Sequence, residues 1–383
     1  MTETKPAPTA DATLATLLHD HFTWMHRHPE LSFEEVETTK RVRAVLEAHA
    51  IRILDLPLKT GLVAEIGSGA PIIALRADID ALPITEATDL PYASTCPGKM
   101  HACGHDFHTT TVLGAALLLK AHENDLRGTI RIVFQPGEEA PGGAKNVLET
   151  GALADVSAIF GLHCSPRLPV GTIGITAGAL TASVDRFVIT FHGRGTHAAH
   201  PEGGIDPIVC AASFIEAAQT IVSRNLEPFD AGLVSITHVA AGNTWNVIPE
   251  TAMVEGTTRS MTAANRTRIK ERLYALANGI AAAHGATADI DWYAGPPATN
   301  NTETWAAAAK DVAEAQQWNV VQAPPSLAGE DFAYYQETIP GCFVLVGTGP
   351  SIANHNPKFV IHTEAIVPTA KYLASLAMQA LKQ

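Results

Sequence analysis

The chain has 383 residues, of which 46% are hydrophobic and 17% are charged, a composition typical of one large or two ordinary globular domains and not of a disordered chain. Its 26 basic and 39 acidic residues give a formal net charge of −13. An acidic surface repels phosphate backbones, so nucleic acid is not expected as a partner.

Helical and strand patterns alternate in the first half of the chain. Ser32-Phe-Glu-Glu35 has the spacing of a capping box, which predicts the start of a helix there. Buried strands between helices favour an α/β domain, with a largely parallel sheet and helices on both faces. The predicted elements, in chain order, are a helix at Ala12–Arg27, a helix from Ser32 to Ala48, strands at Leu62–Ile66 and Ile72–Ala77, a helix at Thr109–Ala121, and strands at Thr129–Phe134 and Ala158–Leu162.

The middle of the chain has a different pattern, in the order β-α-β-β-α-β. This order is typical of a small ferredoxin-like domain. We therefore predict one α/β domain formed by residues 1–180 and 294–383, interrupted by an inserted α+β domain at 181–293. The elements predicted in the insert are Val184–Phe191, Asp206–Val222, Leu233–Val239, Thr251–Thr257, Ala263–His284 and Thr287–Tyr293.

The location of the protein is predicted from what the sequence lacks. The first dozen residues have neither the basic start nor the apolar core of a secretion signal. No uninterrupted apolar run reaches the roughly 18 residues that cross a bilayer. The odd, scattered set of cysteines is not a disulfide framework. We expect a cytoplasmic protein with no membrane partner and with reduced thiols at Cys96, Cys103, Cys164, Cys210 and Cys342.

The densest group of reactive side chains is Met100-His-Ala-Cys-Gly-His-Asp-Phe-His108. Imidazole, thiolate and carboxylate are the ligands of zinc and similar ions. Cys103 and His105 are separated by one residue, so in an extended segment they point the same way. Gly104 between them would let the backbone approach the ion. The alternative is a polar surface loop, but burying this many titratable groups without a partner is costly.

A second group, Gln135-Pro-Gly-Glu-Glu139, follows a predicted strand that Pro136 and Gly137 end. One of two adjacent carboxylates in such a loop can bind metal while the other accepts a proton from water. Taken alone, the pair would be read as a solvated acidic turn. Its position at the carboxyl end of a parallel strand favours a functional site.

Three further signals are weak alone. His163 ends an apolar strand, and His355 precedes Asn-Pro; each, taken alone, is more often a core histidine than a ligand. Asp78 and Asp80 lie where a buried strand becomes a loop. They could orient a metal ligand through hydrogen bonds or cap the next segment.

Nine motifs together resemble the aminoacylase and carboxypeptidase superfamily of binuclear metallohydrolases. The resemblance is strongest to the branch of hippurate hydrolase, N-acyl-L-amino acid amidohydrolase and the indole-acetyl-amino-acid hydrolases, and it runs from His26 to beyond His355. The motifs are, in order, RADIDALP, MHACGHDFH, QPGEE, FGLH, GRGTHAAHP, NVIPE, GTTRS, AGEDFAYY and HNPKF.

The resemblance implies an assignment for each matching residue. Glu138 would be the general base and acid, and Asp80 would position the site. The insert would be a lid and dimerisation domain whose His197 reaches an active site, its own or the partner's. Asn246 and Arg259 would lie near the substrate carboxylate or scissile carbonyl, and Gly329 in a loop that contacts substrate. The implied metal ligands are Cys103, His105, Glu139, His163 and His355. His200, three residues after His197, leaves open which of the two imidazoles reaches the substrate.

The implied activity is hydrolysis of small N-acyl amino acids by a homodimer, or a tetramer of dimers, with two divalent cations per subunit. A mixed sulfur, nitrogen and oxygen ligand set accepts zinc, manganese, cobalt or nickel. Alternatives within the superfamily are a dipeptidase, a carboxypeptidase and an N-acetyldiaminopimelate deacetylase. A cysteine protease using Cys103, and an inactive binding relative that keeps the fold, are the alternatives of other functional classes.

Overall fold

The computed structural model of the protein describes residues 10–383, with side chains from Ala12 onward. The beginning of the chain, where no secretion signal is expected, lies mostly outside the described residues. The helices are α1 Ala10–Arg27, α2 Val36–Ala48, α3 His105–Ala121, α4 Gly143–Glu149, α5 Pro207–Asn225, α6 Ala263–Ala283, α7 Glu303–Ala315, α8 Ala333–Gln336 and α9 Ile366–Ala380, with short 3-10 turns at Glu123–Asp125, Pro201–Gly203 and Thr363–Ala365.

The strands are β1 Arg52–Ile53, β2 Leu62–Gly67, β3 Ile72–Asp78, β4 Thr129–Gln135, β5 Ala158–Pro169, β6 Thr172–Ile175, β7 Gly178–Thr181, β8 Ser183–His192, β9 Thr196–His197, β10 Gly232–Ala241, β11 Val247–Ile248, β12 Thr251–Ser260, β13 Thr287–Ala294, β14 Thr299–Asn301, β15 Asn319–Gln322 and β16 Gly341–Gly349. The longest strands are β5, with 12 residues, and β8, β10 and β12, with 10 residues each. Every predicted helix and strand is present. The largest difference is β5, which was predicted to end at Leu162 and continues to Pro169.

The chain folds into two compact units. One consists of the chain up to Gly178 together with Asn300–Pro324 and Tyr334–Gln383. The other consists of Ala179–Thr299 and Pro325–Ala333. Relative to the predicted insert at 181–293, the second unit also includes residues 179–180, 294–299 and 325–333.

The first unit is built on an eight-stranded sheet in the order β1-β2-β4-β3-β5-β16-β6-β15. β3 pairs in parallel with β4 and β5, β16 pairs in parallel with β5, and β15 pairs in parallel with β6. The other pairings, β1–β2, β2–β4 and β16–β6, are antiparallel. Every residue of β4 is buried, Arg131 included, which requires cover on both faces of the sheet at this strand. The predicted mixed, largely parallel α/β fold is confirmed.

The second unit is built on a four-stranded antiparallel sheet in the order β10-β12-β8-β13. β8 alternates between buried and less buried residues, as a strand with one covered face does. Its buried side chains, among them Phe187 and Phe191, share a core with Phe214 of α5 and Leu273 of α6. The β-α-β-β-α-β pattern therefore forms the ferredoxin-like sheet that the sequence predicted.

The predicted capping box at Ser32–Glu35 is wrong. Helix α2 begins at Val36, and Glu35 makes no side-chain cap. Glu30 caps the helix instead, because its carboxylate accepts from the backbone N–H groups of Glu37 at 3.1 Å and Thr38 at 2.8 Å. The spacing is that of a capping box, but the side chains of Ser32 and Glu35 bind other parts of the chain.

A buried histidine whose ring has no hydrogen-bond partner among the described residues predicts sensitivity to acid. His21 of α1 is 1% exposed, and neither ring nitrogen has a hydrogen-bond partner among the described residues. Burial, assisted by the charge of Arg41, lowers the pKa of His21 to about 3. As the pH falls below about 6.5, the unfolded chain binds a proton that the folded chain does not, so stability falls. Replacing His21 with Phe should therefore remove about 2 kcal/mol of the stability loss between pH 7.5 and pH 5.

Urea unfolding of the wild type and the His21→Phe variant at both pH values measures this difference. His19→Gln, an exposed change on the same helix, is the matched control and should leave the pH dependence as in the wild type. Equal stability losses in the wild type and His21→Phe would contradict the prediction.

Candidate metal centre and active site

Five side chains with metal-binding atoms meet in the first unit: His105 begins α3, His163 lies within β5, and Cys103, Glu139 and His355 lie in three loops. Cys103 Sγ lies 3.4 Å from His163 Nε2 and 3.3 Å from His355 Nε2. His355 Nε2 lies 3.2 Å from Glu139 Oε1, which is 4.0 Å from His105 Nε2. The structure thus brings together all five residues that the resemblance implied as ligands.

Glu138 lies at the same place, with Oε2 4.0 Å from His105 Nε2. The side chains of Glu138 and Glu139 are 11% and 15% exposed, whereas that of His355 is 54% exposed. Solvent therefore reaches the group mainly at His355, and the side chains of Glu138 and Glu139 are only partly accessible.

Two hydrogen bonds hold His355 next to Cys103, from which it is distant in sequence. The N–H of His355 donates to Ala102 O at 2.8 Å, and Asn354 Nδ2 donates to Cys103 O at 3.0 Å. These bonds hold the segment 354–355 against the segment that carries Cys103. His355 itself has φ +64°, a backbone conformation that few non-glycine residues adopt and that often marks functional sites.

The extended arrangement predicted for Cys103 and His105 is wrong. His105 is the first residue of α3, and Gly104 before it has φ +90°. A Cβ atom on Gly104 would lie 2.4 Å from Cys164 Sγ. Glycine is needed for this turn and for the close approach of Cys164, and the turn still brings Cys103 and His105 within reach of one ion.

Asp80 connects the ligands to the loop that bears the two glutamates. Its carboxylate accepts from the backbone N–H of Glu138 at 3.1 Å and of Glu139 at 3.0 Å. It also accepts from His105 Nδ1 at 3.1 Å, which leaves Nε2 as the free nitrogen of that ring. Carboxylates commonly fix metal-binding histidines in this way.

A buried charged layer lies beneath the ligands. Asp78 Oδ1 accepts from His108 Nδ1 at 2.7 Å, and its Oδ2 accepts from Arg76 Nη1 at 2.6 Å. His108 Nε2 in turn accepts from the backbone N–H of Cys164 at 2.8 Å. Both nitrogens of His108 are occupied, so it is a structural histidine and not a ligand.

The electrostatics of the ligands favour bound cations. Burial raises the pKa of Cys103 well above its ordinary value, and the charges of Glu139 and Glu138 add to this effect. Burial alone would lower the pKa of His105, but the charge of Asp78 and the bond to Asp80 raise it well above the ordinary value. Protons therefore occupy these atoms unless a cation displaces them.

These side chains have the donor atoms that a divalent metal ion requires. Nε2 of His105 is buried and has no hydrogen-bond partner among the described residues. An unpaired buried polar atom is costly, and a cation would satisfy it. Sulfur, imidazole nitrogen and carboxylate oxygen within a few ångströms of each other are the ligand set of zinc and related ions.

The remaining residues implied by the resemblance lie in the second unit, where they form two pairs. His197 on β9 is opposite Val247 of β11, and the N–H of Ala198 donates to Asn246 O at 3.0 Å. The N–H of Ala199 donates to His197 Nδ1 at 3.0 Å, so the proton of the neutral ring is on Nε2. The ring of His200 is near, with its centroid 5.9 Å from that of His197.

Arg259 and Gly329 form the second pair. Arg259 Nε donates to Leu327 O at 3.1 Å, in the same loop as Gly329. Gly329 packs tightly, since a Cβ atom there would lie 2.4 Å from Val184 Cγ2. Burial lowers the pKa of Arg259, which nevertheless stays a cation at neutral pH.

Sequence reasoning missed a buried group behind the metal-binding segment. His26 Nδ1 donates to Asp106 Oδ2 at 2.7 Å, and its Nε2 lies 3.3 Å from Glu86 Oε1. Burial opposes protonation of His26, but the bonds to Asp106 and Glu86 outweigh it and raise the pKa to about 9. The signal for Asp106 was present, since it follows a ligand directly, but Glu86 and His26 are too distant in sequence to be paired by inspection.

Comparison with known proteins connects this geometry to a family. The model of peptidase family M20/M25/M40 matches residues 74–379. The chain belongs to this family. The M20 protein is 49% identical to N-acetylcysteine deacetylase of Bacillus subtilis (strain 168), over 97% of its own length and 99% of that protein. It is 39% identical to IAA-amino acid hydrolase ILR1-like 5 of Arabidopsis thaliana, over 94% of its own length and 86% of the relative.

A solved structure agrees with these relatives. The M20 protein superimposes with a TM-score of 0.88 and 46% identity on a Bacillus subtilis protein described as a dinuclear metal binding peptidase of the M20 family, covering 97% of the one chain and 99% of the other. The family resemblance drawn from the motifs is confirmed, and with it the assignment of the M20 protein as an amidohydrolase. Within residues 10–383, no helix combines the length and hydropathy needed to cross a membrane.

Proposed function

We propose that this protein hydrolyses the amide bond of N-acyl amino acids, releasing a carboxylic acid and a free amino acid. The observation that carries the proposal is the position of Glu138 beside a converging set of sulfur, nitrogen and oxygen ligands. Two divalent cations would be held by Cys103, His105, Glu139, His163 and His355. When bound, they would supply Lewis acidity, polarising the scissile carbonyl and lowering the pKa of water towards neutrality.

Glu138 would perform the proton transfers. It is close to the ligands and partly open to solvent, so its carboxylate can accept a proton from the attacking water and return it to the leaving nitrogen. Asp80 would hold it in place through the backbone of the 138–139 turn.

Residues of the second unit would bind the substrate. The proton on His197 Nε2 suits donation to the oxyanion that forms on the acyl carbonyl. Arg259 supplies a cation for the free carboxylate of the amino acid, and Asn246 and the loop of Gly329 would complete the contacts. We infer that this unit also serves as the lid and dimerisation domain of a homodimer, and the five free cysteines support a cytoplasmic location.

A cysteine protease mechanism is disfavoured by the environment of Cys103. A nucleophilic thiolate requires a depressed pKa, whereas burial raises the pKa of this thiol well above its ordinary value.

The proposal is tested with a substrate panel on protein reconstituted separately with zinc, manganese, cobalt and nickel. N-acetyl-L-cysteine, N-acetyl-L-methionine, hippurate, an indole-acetyl amino acid and N-acetyldiaminopimelate cover the acyl amino acids, and glycyl-leucine covers dipeptides. The matched pair is N-acetyl-L-methionine and its carboxamide. We expect kcat/KM for the free acid to exceed that for the amide by tenfold or more, because a hydrogen-bonded ion pair to Arg259 is worth about 1.5–3 kcal/mol. Hydrolysis of the dipeptide alone would contradict the proposal.

A further inference from the structure

The segment Leu31–Glu35 contacts the loop of the proposed base from outside the site. Ser32 Oγ donates at 2.7 Å to Asp80 Oδ2, the oxygen that also accepts the N–H of Glu139. Leu31 forms a parallel bridge with Ala81. The segment is thereby joined to the carboxylate on which the 138–139 turn depends.

Glu35 contacts the loop directly. Its side chain is fully buried, and Oε1 accepts the backbone N–H of Gly137 at 2.8 Å while Oε2 accepts Thr60 Oγ1 at 2.7 Å. The helix that follows is capped by Glu30 and not by Glu35. Helix formation therefore does not account for a buried carboxylate at this position.

Phe33 makes a third contact, of a different kind. A Cβ atom on Gly137 would lie 2.5 Å from Cζ of the Phe33 ring, so the ring rests directly on the glycine of the loop. Phe33 itself has φ +65°, which is strained for a bulky side chain. The surrounding structure maintains this costly conformation, and the result is a ring placed against Gly137.

We propose that Leu31–Glu35 is a clamp that fixes the direction of Glu138, with Ser32, Phe33 and Glu35 as positioning residues. The inference rests on the proposed role of Glu138. Gly137 has φ +64° and gives the loop Pro136–Glu139 conformational freedom, which three independent contacts remove. Proton transfer requires hydrogen-bond distance and alignment, and a displacement of about 1 Å can cost a hundredfold in rate.

The test compares neighbouring glutamates. Glu35→Ala should lower kcat about tenfold or more, with KM and metal content unchanged. Ser32→Ala, a smaller change that leaves the core intact, should lower kcat in the same direction. Glu34→Ala is the matched control, because Glu34 is exposed and its side chain pairs with Lys99 at the surface, and it should behave as the wild type. Hydrogen exchange followed by mass spectrometry compares the peptide that contains Gly137 in the two glutamate variants. This peptide should exchange faster than in the wild type in Glu35→Ala, and at the wild-type rate in Glu34→Ala.

A double-mutant cycle distinguishes an effect of Glu35 on the position of Glu138 from a general structural effect on activity. If Glu35 acts through Glu138, then Glu35→Ala should have little further effect on the residual rate of Glu138→Gln. Equal effects in the two backgrounds would overturn the clamp, and so would a loss of activity explained entirely by lost metal.

The two proposals fail differently. An inactive Glu138→Gln with fully active Glu35→Ala and Ser32→Ala would overturn the clamp alone. Full activity of Glu138→Gln would show that Glu138 is not the base, and the proposal that the clamp positions a catalytic base would then fail as well.

Discussion

Replacement of Glu138 with Gln should lower turnover about a thousandfold, within the range that general acid–base catalysis supplies, while metal content and fold are unchanged. The amide has the size of the carboxylate but cannot accept a proton at neutral pH. Its backbone N–H still binds Asp80, so the loop should keep its conformation. Measurement of kcat alongside metal content by plasma mass spectrometry tests this.

Glu139→Gln is the natural control, since it is the same change at the next residue. Glu139 lies 3.2 Å from His355 Nε2 and among the proposed ligands, so its replacement should reduce bound metal to below two ions per subunit. The two neighbouring glutamates are therefore distinguished by measurement: Glu138→Gln should lose turnover but keep its metal, whereas Glu139→Gln should lose metal. A fully active Glu138→Gln enzyme would show that this residue is not the base.

Removal of divalent cations should abolish activity and destabilise the protein. Exhaustive dialysis against a chelator is expected to bring hydrolysis below detection, and readdition of one cation at a time should restore it. Cations should bind the folded chain and not the unfolded one, so their removal should also lower the Tm. If the ions are present at a thousand times their Kd, their removal lowers the free energy of unfolding by about 4 kcal/mol.

The thermal shift gives this experiment a readout that does not depend on turnover. Cys103→Ala serves as the partner variant and should lower metal content and Tm together, since Sγ lies within 3.4 Å of two of the proposed histidine ligands. An enzyme that keeps full activity in chelator and is instead inactivated by iodoacetamide would contradict a metal mechanism and favour a thiol one.

Local patterns in the sequence were sufficient to predict the helices and strands and to identify the family. The apolar run of β3 and the alternation of β8 are patterns that a short window of residues contains. The proposed ligands Cys103 and His105 are close in sequence, and the other three proposed ligands came from the resemblance carried by the nine motifs.

What the sequence did not predict depends on contacts between distant residues. Ser32 and Glu35 have the spacing of a cap, but their partners, Asp80 and Gly137, lie far along the chain, and tertiary contacts overrode the local preference. The turn at Gly104 was predicted as extended because its cause, the approach of Cys164, is equally non-local. The pairing of His26 with Asp106 was missed for the same reason.

The place of β16 in the sheet has a consequence for how the protein is made. This strand is the last of the chain, yet it lies between β5 and β6 and joins the β6–β15 pair to the other five strands. A nascent chain on the ribosome that has not yet released residues 341–349 has all the earlier strands but no bridge between them, and the edge of β5 stays open. Newly made protein should therefore depend on chaperones until synthesis is nearly finished, and a chain shortened before Gly341 should aggregate and be degraded.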